Sequence, residues 1–120
     1  MTRYRLPLAV VLALALPVLL AALGVSRGLG AHPFWAFQTA IVGAPVGCVL
    51  GLALMRTRRG ILAGAALLAV SGVTAWMGKA RFTASYAEDA LAGKLWYFGW
   101  IGVAAGLALL LVALIAPPRR

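Results

Sequence analysis

The sequence predicts an all-α integral membrane protein, a four-transmembrane-helix bundle with a short interfacial helix between helices 3 and 4. Two observations predict this class. Of the 120 residues, 64% are apolar and only 11% are charged, whereas soluble proteins are roughly 45–50% apolar and about 25% charged. The apolar residues also fall into four long runs, and about 20 apolar residues cross roughly 30 Å of hydrocarbon. We therefore expect residues 1–120 to form a single membrane domain.

The first transmembrane helix is expected at about residues 6–24, directly after the basic residues Arg3 and Arg5. This segment has the outline of a signal peptide, with a small-residue cleavage site at 22–24. Its apolar run is longer than the roughly 7–15 residues of the hydrophobic region within a signal peptide, and Pro17 is tolerated in a membrane helix as a kink. We therefore expect a retained helix, and cleavage is the alternative.

The second helix is expected at about 34–55 and the third at about 60–78, with only the basic segment 56–59 between them. Connections of two to eight residues join neighbouring helices in bundles. We therefore expect the second and third helices to form a tight antiparallel hairpin. Pro45 removes one backbone hydrogen-bond donor and predicts a fixed bend in the second helix.

The fourth helix is expected at about 95–116, where two prolines stop it. Before it, the segment from Ser85 to Glu88 matches the capping box. In this motif the serine hydroxyl accepts a hydrogen bond from a backbone N–H of the first helical turn, and the glutamate side chain accepts one from the N–H of the cap residue. Gly93 offers a C-terminal stop. These residues predict a short outer helix at about 86–92 that rests on the membrane surface or on the bundle.

The distribution of basic residues predicts the orientation. With four spans, both termini and the 56–59 loop share one side, which carries seven of the eleven Lys and Arg residues. Cytoplasmic loops carry such an excess, so both termini are expected in the cytoplasm. The basic residues lie at segment ends rather than on a soluble domain, so no nucleic-acid partner is expected. The bias towards Ala, Leu, Gly and Arg favours a bacterial inner (plasma) membrane.

Glycines spaced by four residues predict close GxxxG packing of helices. Small residues on one face let two backbones approach, which matters in lipid because packing replaces the hydrophobic drive between helices. The pattern leaves open whether the neighbouring helix belongs to this chain or to a second one. These glycines are Gly43, Gly47 and Gly51 in the second helix, Gly60 and Gly64 in the third, and Gly102 and Gly106 in the fourth.

Aromatic residues concentrate at the expected outer end, together with Glu88 and Asp89, the only two acids. An interfacial belt explains many of the rings, and a partner- or ligand-binding surface is the alternative. The capping box explains Glu88, and an acid in a first helical turn suits the helix dipole. The candidate outer surface consists of Phe82, Tyr86, Glu88, Asp89, Trp96, Tyr97 and Trp100.

Residues that hold metals or cofactors are scarce. His32 is the only histidine and Cys48 the only cysteine, which excludes a bis-histidine haem and a thiolate metal cluster. None of the four expected spans contains Asp, Glu, Lys, Arg or His, whereas proton- or ion-coupled transporters usually place such a residue at mid-membrane. We therefore expect no metal, no cofactor and no catalytic residue.

These observations favour a small non-enzymatic accessory or assembly subunit of a larger membrane complex. Its expected contacts are membrane lipid and either a membrane-protein partner or further copies of itself. The first alternative is a small homo-oligomeric transporter or channel that uses Gln38, Ser71 and Thr74. The second is a membrane enzyme or a quinone- or lipid-binding protein whose site lies at the outer interface. That site would use Tyr86, Glu88, Asp89, Trp96 and Tyr97.

Overall fold

The described part of the chain is helical apart from residues 23–24, 85–86 and 88–89. The computed structural model describes residues 5–24, 36–54, 58–86 and 88–115. His32 and the rest of the segment 25–35 lie outside these residues. The four helices are α1 (Arg5–Ala22), α2 (Ala36–Leu54), α3 (Arg58–Ala84) and α4 (Ala90–Ile115).

Three of the helices are long and apolar enough to cross a membrane. An α-helix rises 1.5 Å per residue, so the 27 residues of α3 and the 26 residues of α4 exceed the roughly 30 Å of a hydrocarbon core. The 18 residues of α1 also qualify, whereas the apolar part of α2 is the shorter stretch Phe37–Ala53. The expected all-helical architecture is confirmed, and three of its helices are candidate membrane spans.

Most of the buried apolar residues are small, and many of the large apolar side chains are exposed. Ala13, Ala44 and Ala108 have no exposed surface, whereas Val70 and Trp76 are 65% and 69% exposed. In a soluble protein the large apolar side chains would fill the core. In lipid the outer side chains need no cover, and close packing of small residues holds the helices together.

Helix α4 is the centre of the fold, with α3 on one side and α1 and α2 on the other. Gly99 of α4 lies against Ala75 of α3, while Ala108 and Val112 join a buried cluster with residues of α1 and α2. Helices α2 and α3 make few contacts with each other. The expectation of a tight hairpin between them is therefore wrong, because α4 offers small residues on two opposite faces and each helix packs there instead.

The helices alternate in direction. Contacts between α3 and α4 run in opposite order along the two helices, whereas those between α2 and α4 run in the same order. The start of α1 lies beside the end of α4, where Arg5 Nε donates a hydrogen bond of 2.9 Å to the carbonyl of Ile115. The contacts that show the order pair Gly64 with Leu110, Gly78 with Trp96, Gly43 with Ile101, and Gly51 with Val112.

The structure does not form the separate short helix expected at about 86–92. Helix α3 ends at Ala84, Tyr86 lies in a turn, Glu88 and Asp89 are not helical, and α4 begins at Ala90. Tyr86 has a φ of 55°, the left-handed conformation that often ends a helix. Gly93, the expected stop, lies inside α4.

Both α3 and α4 are longer at this turn than the sequence analysis expected. Helix α3 continues past residue 78, and α4 starts before residue 95. The expected limits stopped short of Lys79, Arg81 and Lys94. Long basic side chains can lay their carbon stems along apolar surface and keep the charge in water, so a charge does not have to end a helix.

Candidate functional site

The turn between α3 and α4 is fixed by Ser85 and Asp89. The Ser85 hydroxyl donates to the carbonyl of Phe82 at 2.9 Å and accepts from the backbone N–H of Asp89 at 2.9 Å. Asp89 Oδ1 accepts from the N–H of Ala92 at 3.0 Å, and the Asp89 carbonyl accepts from the N–H of Gly93 at 3.1 Å. Asp89 is therefore the N-cap residue of α4.

This arrangement replaces the capping box expected between Ser85 and Glu88. Glu88 is exposed, and its backbone N–H donates to the carbonyl of Ser85 at 3.2 Å. The acid that bonds a helix amide is Asp89, whose charge also suits the positive end of the α4 dipole. The sequence signal for this cap is Asp89 itself, three residues before Ala92. The capping-box pattern at 85–88 suggested a different cap residue.

Phe82 and Trp96 fill the interface between α3 and α4. Their ring centroids are 5.8 Å apart at an interplanar angle of 50°, and Trp96 is only 5% exposed. The Phe82 ring also covers Gly93, where an added Cβ would lie 2.9 Å from Phe82 Cε2. These two aromatic residues therefore hold the helix pair together.

The other aromatic residues of the candidate surface point elsewhere. Tyr97 packs edge-on against Phe98 with a centroid distance of 5.4 Å, and Tyr86 is 91% exposed at the turn. Trp100 packs against Ala21 and Ala40, on the α1–α2 side of α4. The seven residues predicted as one outer surface are thus divided among the α3–α4 interface with its groove, the turn, and the α1–α2 side of α4.

Two shallow grooves flank Lys94 and Phe98. We name them the Phe82 groove, of about 370 Å³, and the Thr74 groove, of about 360 Å³. Both are apolar apart from the Lys94 ammonium and a few hydroxyls. The Phe82 groove is lined by Phe82, Ala90, Gly93, Lys94, Tyr97 and Phe98, and the Thr74 groove by Ser71, Thr74, Leu91, Lys94, Leu95, Phe98 and Gly99.

Of the three polar residues considered for a transport pathway, Ser71 and Thr74 line the Thr74 groove, whereas Gln38 lies apart from them. The Thr74 hydroxyl donates to the carbonyl of Val70 on its own helix at 2.8 Å. Ser71 is buried, and its hydroxyl lies where a side chain on Gly102 would be. Gln38 is exposed on α2, which has few contacts with α3.

The glycines predicted to pack lie at helix contacts. A Cβ on Gly47 would meet the carbonyl carbon of Ala105 at 2.6 Å, and one on Gly106 would meet the backbone nitrogen of Leu68 at 2.7 Å. Gly60 is buried near the start of α3. The remaining four occupy close contacts with a neighbouring helix, and they are Gly43, Gly51, Gly64 and Gly102.

Sequence reasoning missed two further rows of packing residues. One runs along α1 at steps of four and is buried against α2 and α4. Steps of four were the available signal, but only glycines were counted. The α1 row is Ala9, Ala13, Pro17 and Ala21, and the second row, which packs α3 on α4, is Gly64, Leu68, Ser71, Ala75 and Gly78.

Charged and metal-binding side chains form no buried centre within the described residues. No three His, Cys, Asp or Glu side chains in that part of the chain are placed to hold a metal ion, and none of its acidic or basic side chains is buried. No family model, curated protein or solved structure matches this chain. The proposals below therefore rest on the geometry and chemistry of its own residues.

Proposed function

We propose that this chain is a small non-enzymatic integral membrane protein that acts as an accessory or assembly subunit and docks through the uncovered side of α3. The proposal is supported by one observation. Helix α3 is held almost wholly by α4, and beside the row that packs on α4 it carries a second row of mostly small residues that nothing in the described structure covers.

The second row, here called the docking row, repeats the spacing of the first. Its residues are spaced by four, three and four positions, like those of the α3 row that packs against α4. They are Ala65, Ala69, Gly72 and Trp76. A Cβ built on Gly72 meets no atom within 4 Å, and Trp76 is largely exposed. Small residues at this spacing let a second helix approach closely in lipid, and exposed aromatic residues are enriched where proteins associate.

The proposed topology has four spans, with both termini in the cytoplasm of a bacterial inner membrane. Alternating helix directions and the contact between Arg5 and Ile115 support termini on one side. The excess of basic residues on that side supports its cytoplasmic location. Reporters active only in the cytoplasm, fused to each terminus in turn, test the orientation, and activity of only one of them would contradict it.

The alternatives differ in what should lie on the docking row. A homo-oligomeric transporter or channel would place a second copy there and would need a polar pathway between copies. An enzyme or a quinone site at the outer interface would use Asp89 and Trp96, but Asp89 caps α4 and Trp96 is buried against Phe82. The accessory role is therefore the proposal that the geometry supports best.

Site-specific photo-crosslinking in native membranes tests the proposal. A photoreactive residue at Ala69, within the docking row, should give one discrete adduct with a different membrane protein. The matched control is Val70, which is also exposed on α3 but lies about 100° further around the helix. An adduct with a second copy would favour the transporter alternative, and equal crosslinking at both positions, or only to lipid, would refute the docking row.

A further inference from the structure

We propose that the Thr74 groove binds one phospholipid with an anionic headgroup, whose acyl chain lies between α3 and α4 and whose phosphate lies between Arg81 and Lys94. This site differs from the docking row, which lies on the other side of α3. The inference therefore stands or fails independently of the proposed partner.

The walls of the groove suit a hydrocarbon chain. Leu91, Leu95 and Phe98 provide apolar surface along α4. On the α3 wall, the Thr74 hydroxyl already donates to a carbonyl of its own helix, and Ser71 is buried. A groove of this kind on a membrane-facing surface is filled by lipid, because hydrocarbon is the solvent there and no polar group has to lose a partner.

Two cations lie at the headgroup end of this groove. Lys94 lines the groove itself. Arg81 follows Thr74 by seven residues, almost two full turns, and therefore lies on the same side of α3. The contact between Phe82 and Gly93 places Arg81 level with the first turns of α4. Both cations are exposed, and among the described residues neither forms an ion pair with an acid.

The depth of these cations matches the headgroup region. Helix α4 has 26 residues, about 39 Å at 1.5 Å per residue, which exceeds the hydrocarbon thickness by roughly 9 Å. Its first turns therefore extend towards the headgroups, and basic side chains near helix ends reach there with their charge. An anionic headgroup places a net negative charge between the two cations, whereas a zwitterionic one also carries a positive group of its own.

Native mass spectrometry of the detergent-solubilised protein tests this site, with dioleoylphosphatidylglycerol and dioleoylphosphatidylcholine as probes. The wild type should retain one phosphatidylglycerol roughly tenfold more tightly than phosphatidylcholine, the order expected for two cations near one anionic headgroup. The double variant Arg81→Gln/Lys94→Gln should lose this preference. The matched control is Lys79→Gln, which removes a charge at the same end of α3 but about 200° around the helix from Arg81.

A second variant tests the acyl chain independently of charge. Thr74→Phe should fill the groove and weaken binding of both lipids, whereas Val73→Phe on a different face should not. The proposal is overturned if the wild type shows no preference for phosphatidylglycerol, or if Lys79→Gln lowers it as much as the double variant. Displacement of the lipid by millimolar inorganic phosphate alone would also overturn it, since the site would then recognise a free anion.

Discussion

Single side-chain atoms decide whether the helices of this protein can meet. A Cβ on Gly99 would lie 2.8 Å from the Cα of Ala75, and one on Gly47 would meet the Ala105 backbone. Neither neighbour is a flexible side-chain end that could move aside. In lipid, where packing holds helices together, these glycines are needed for contact rather than for backbone conformation.

Gly47→Val should destabilise the protein, because its added carbons require α2 to move away from α4. Overpacking of this kind costs about 1–3 kcal/mol. The free energy of unfolding can be measured by titration with a denaturing detergent, followed by circular dichroism. Gly72→Val is the matched control, since the same substitution meets open space there. Equal losses in the two variants would show that the contact with Ala105 does not set the effect.

Asp89→Ala should lower stability by about 0.5–2 kcal/mol, the usual cost of removing an N-cap. It should also increase hydrogen exchange at the amides of Ala92 and Gly93. Asp89→Asn keeps an acceptor oxygen and should remain close to the wild type. Glu88→Gln should leave exchange at these amides unchanged, because Glu88 is exposed and its side chain bonds no amide of α4 among the described residues. A larger effect at Glu88 would restore the capping-box interpretation.

The sequence alone does not show which residue is the N-cap of α4. Ser85 and Asp89 are both common N-cap residues, and the choice between them depends on where α3 ends. That end could not be read from the charges of Lys79 and Arg81, because their side chains can reach water from within a continuing helix. Asp89 as an N-cap follows only once the turn at Ser85 is known.

Helix α1 is an integral packing element among the described residues. Ala9 and Ala13 share a buried cluster with Ala44, Cys48 and Val112, and the bond from Arg5 to the end of α4 adds a charged partner for the last carbonyls of that helix. A segment with such contacts would uncover the core if it were removed. The retention of α1 stays a prediction.

Ala13→Leu should loosen α1 and expose Cys48, the only cysteine of the chain. If overpacking costs about 1–3 kcal/mol, the population with α1 detached rises roughly 5- to 150-fold. The rate at which a membrane-permeant maleimide labels Cys48 in mild detergent should rise accordingly. Val11→Leu enlarges an exposed side chain of the same helix and should not change the rate. Fast labelling of the wild type would contradict the packing of α1.

The sequence predicted the four long helices, but also a short outer helix that does not form, and it did not show which helices pair. Four apolar runs indicated four helices, and glycine spacing marked surfaces suited to close contact. Pairing depended on α4 carrying small residues on opposite faces, with Gly99 towards α3 and Ala108 towards α1 and α2. A short connection between α2 and α3 could not reveal this, because loop length limits distance but does not require contact.

The whole molecule is a flattened assembly rather than a closed four-helix bundle. Its principal extents are 52 × 26 × 17 Å, and α3 lies at one edge, attached to α4 along one face. This geometry leaves the docking row open on the outside. The sequence did not indicate a function. The residues that stand out at the outer end, such as Trp96 and Asp89, serve helix packing and capping instead.

We propose that the uncovered docking row of α3 binds another membrane protein. Native mass spectrometry of the protein extracted from its own membrane in mild detergent tests this most directly, with Gly72→Leu and Val70→Leu compared alongside the wild type. We predict a complex with a second protein at fixed stoichiometry, which is lost in Gly72→Leu and kept in Val70→Leu. Binding of a partner at the docking row would be contradicted by a monomer, by a homo-oligomer without partners, or by a complex that survives Gly72→Leu.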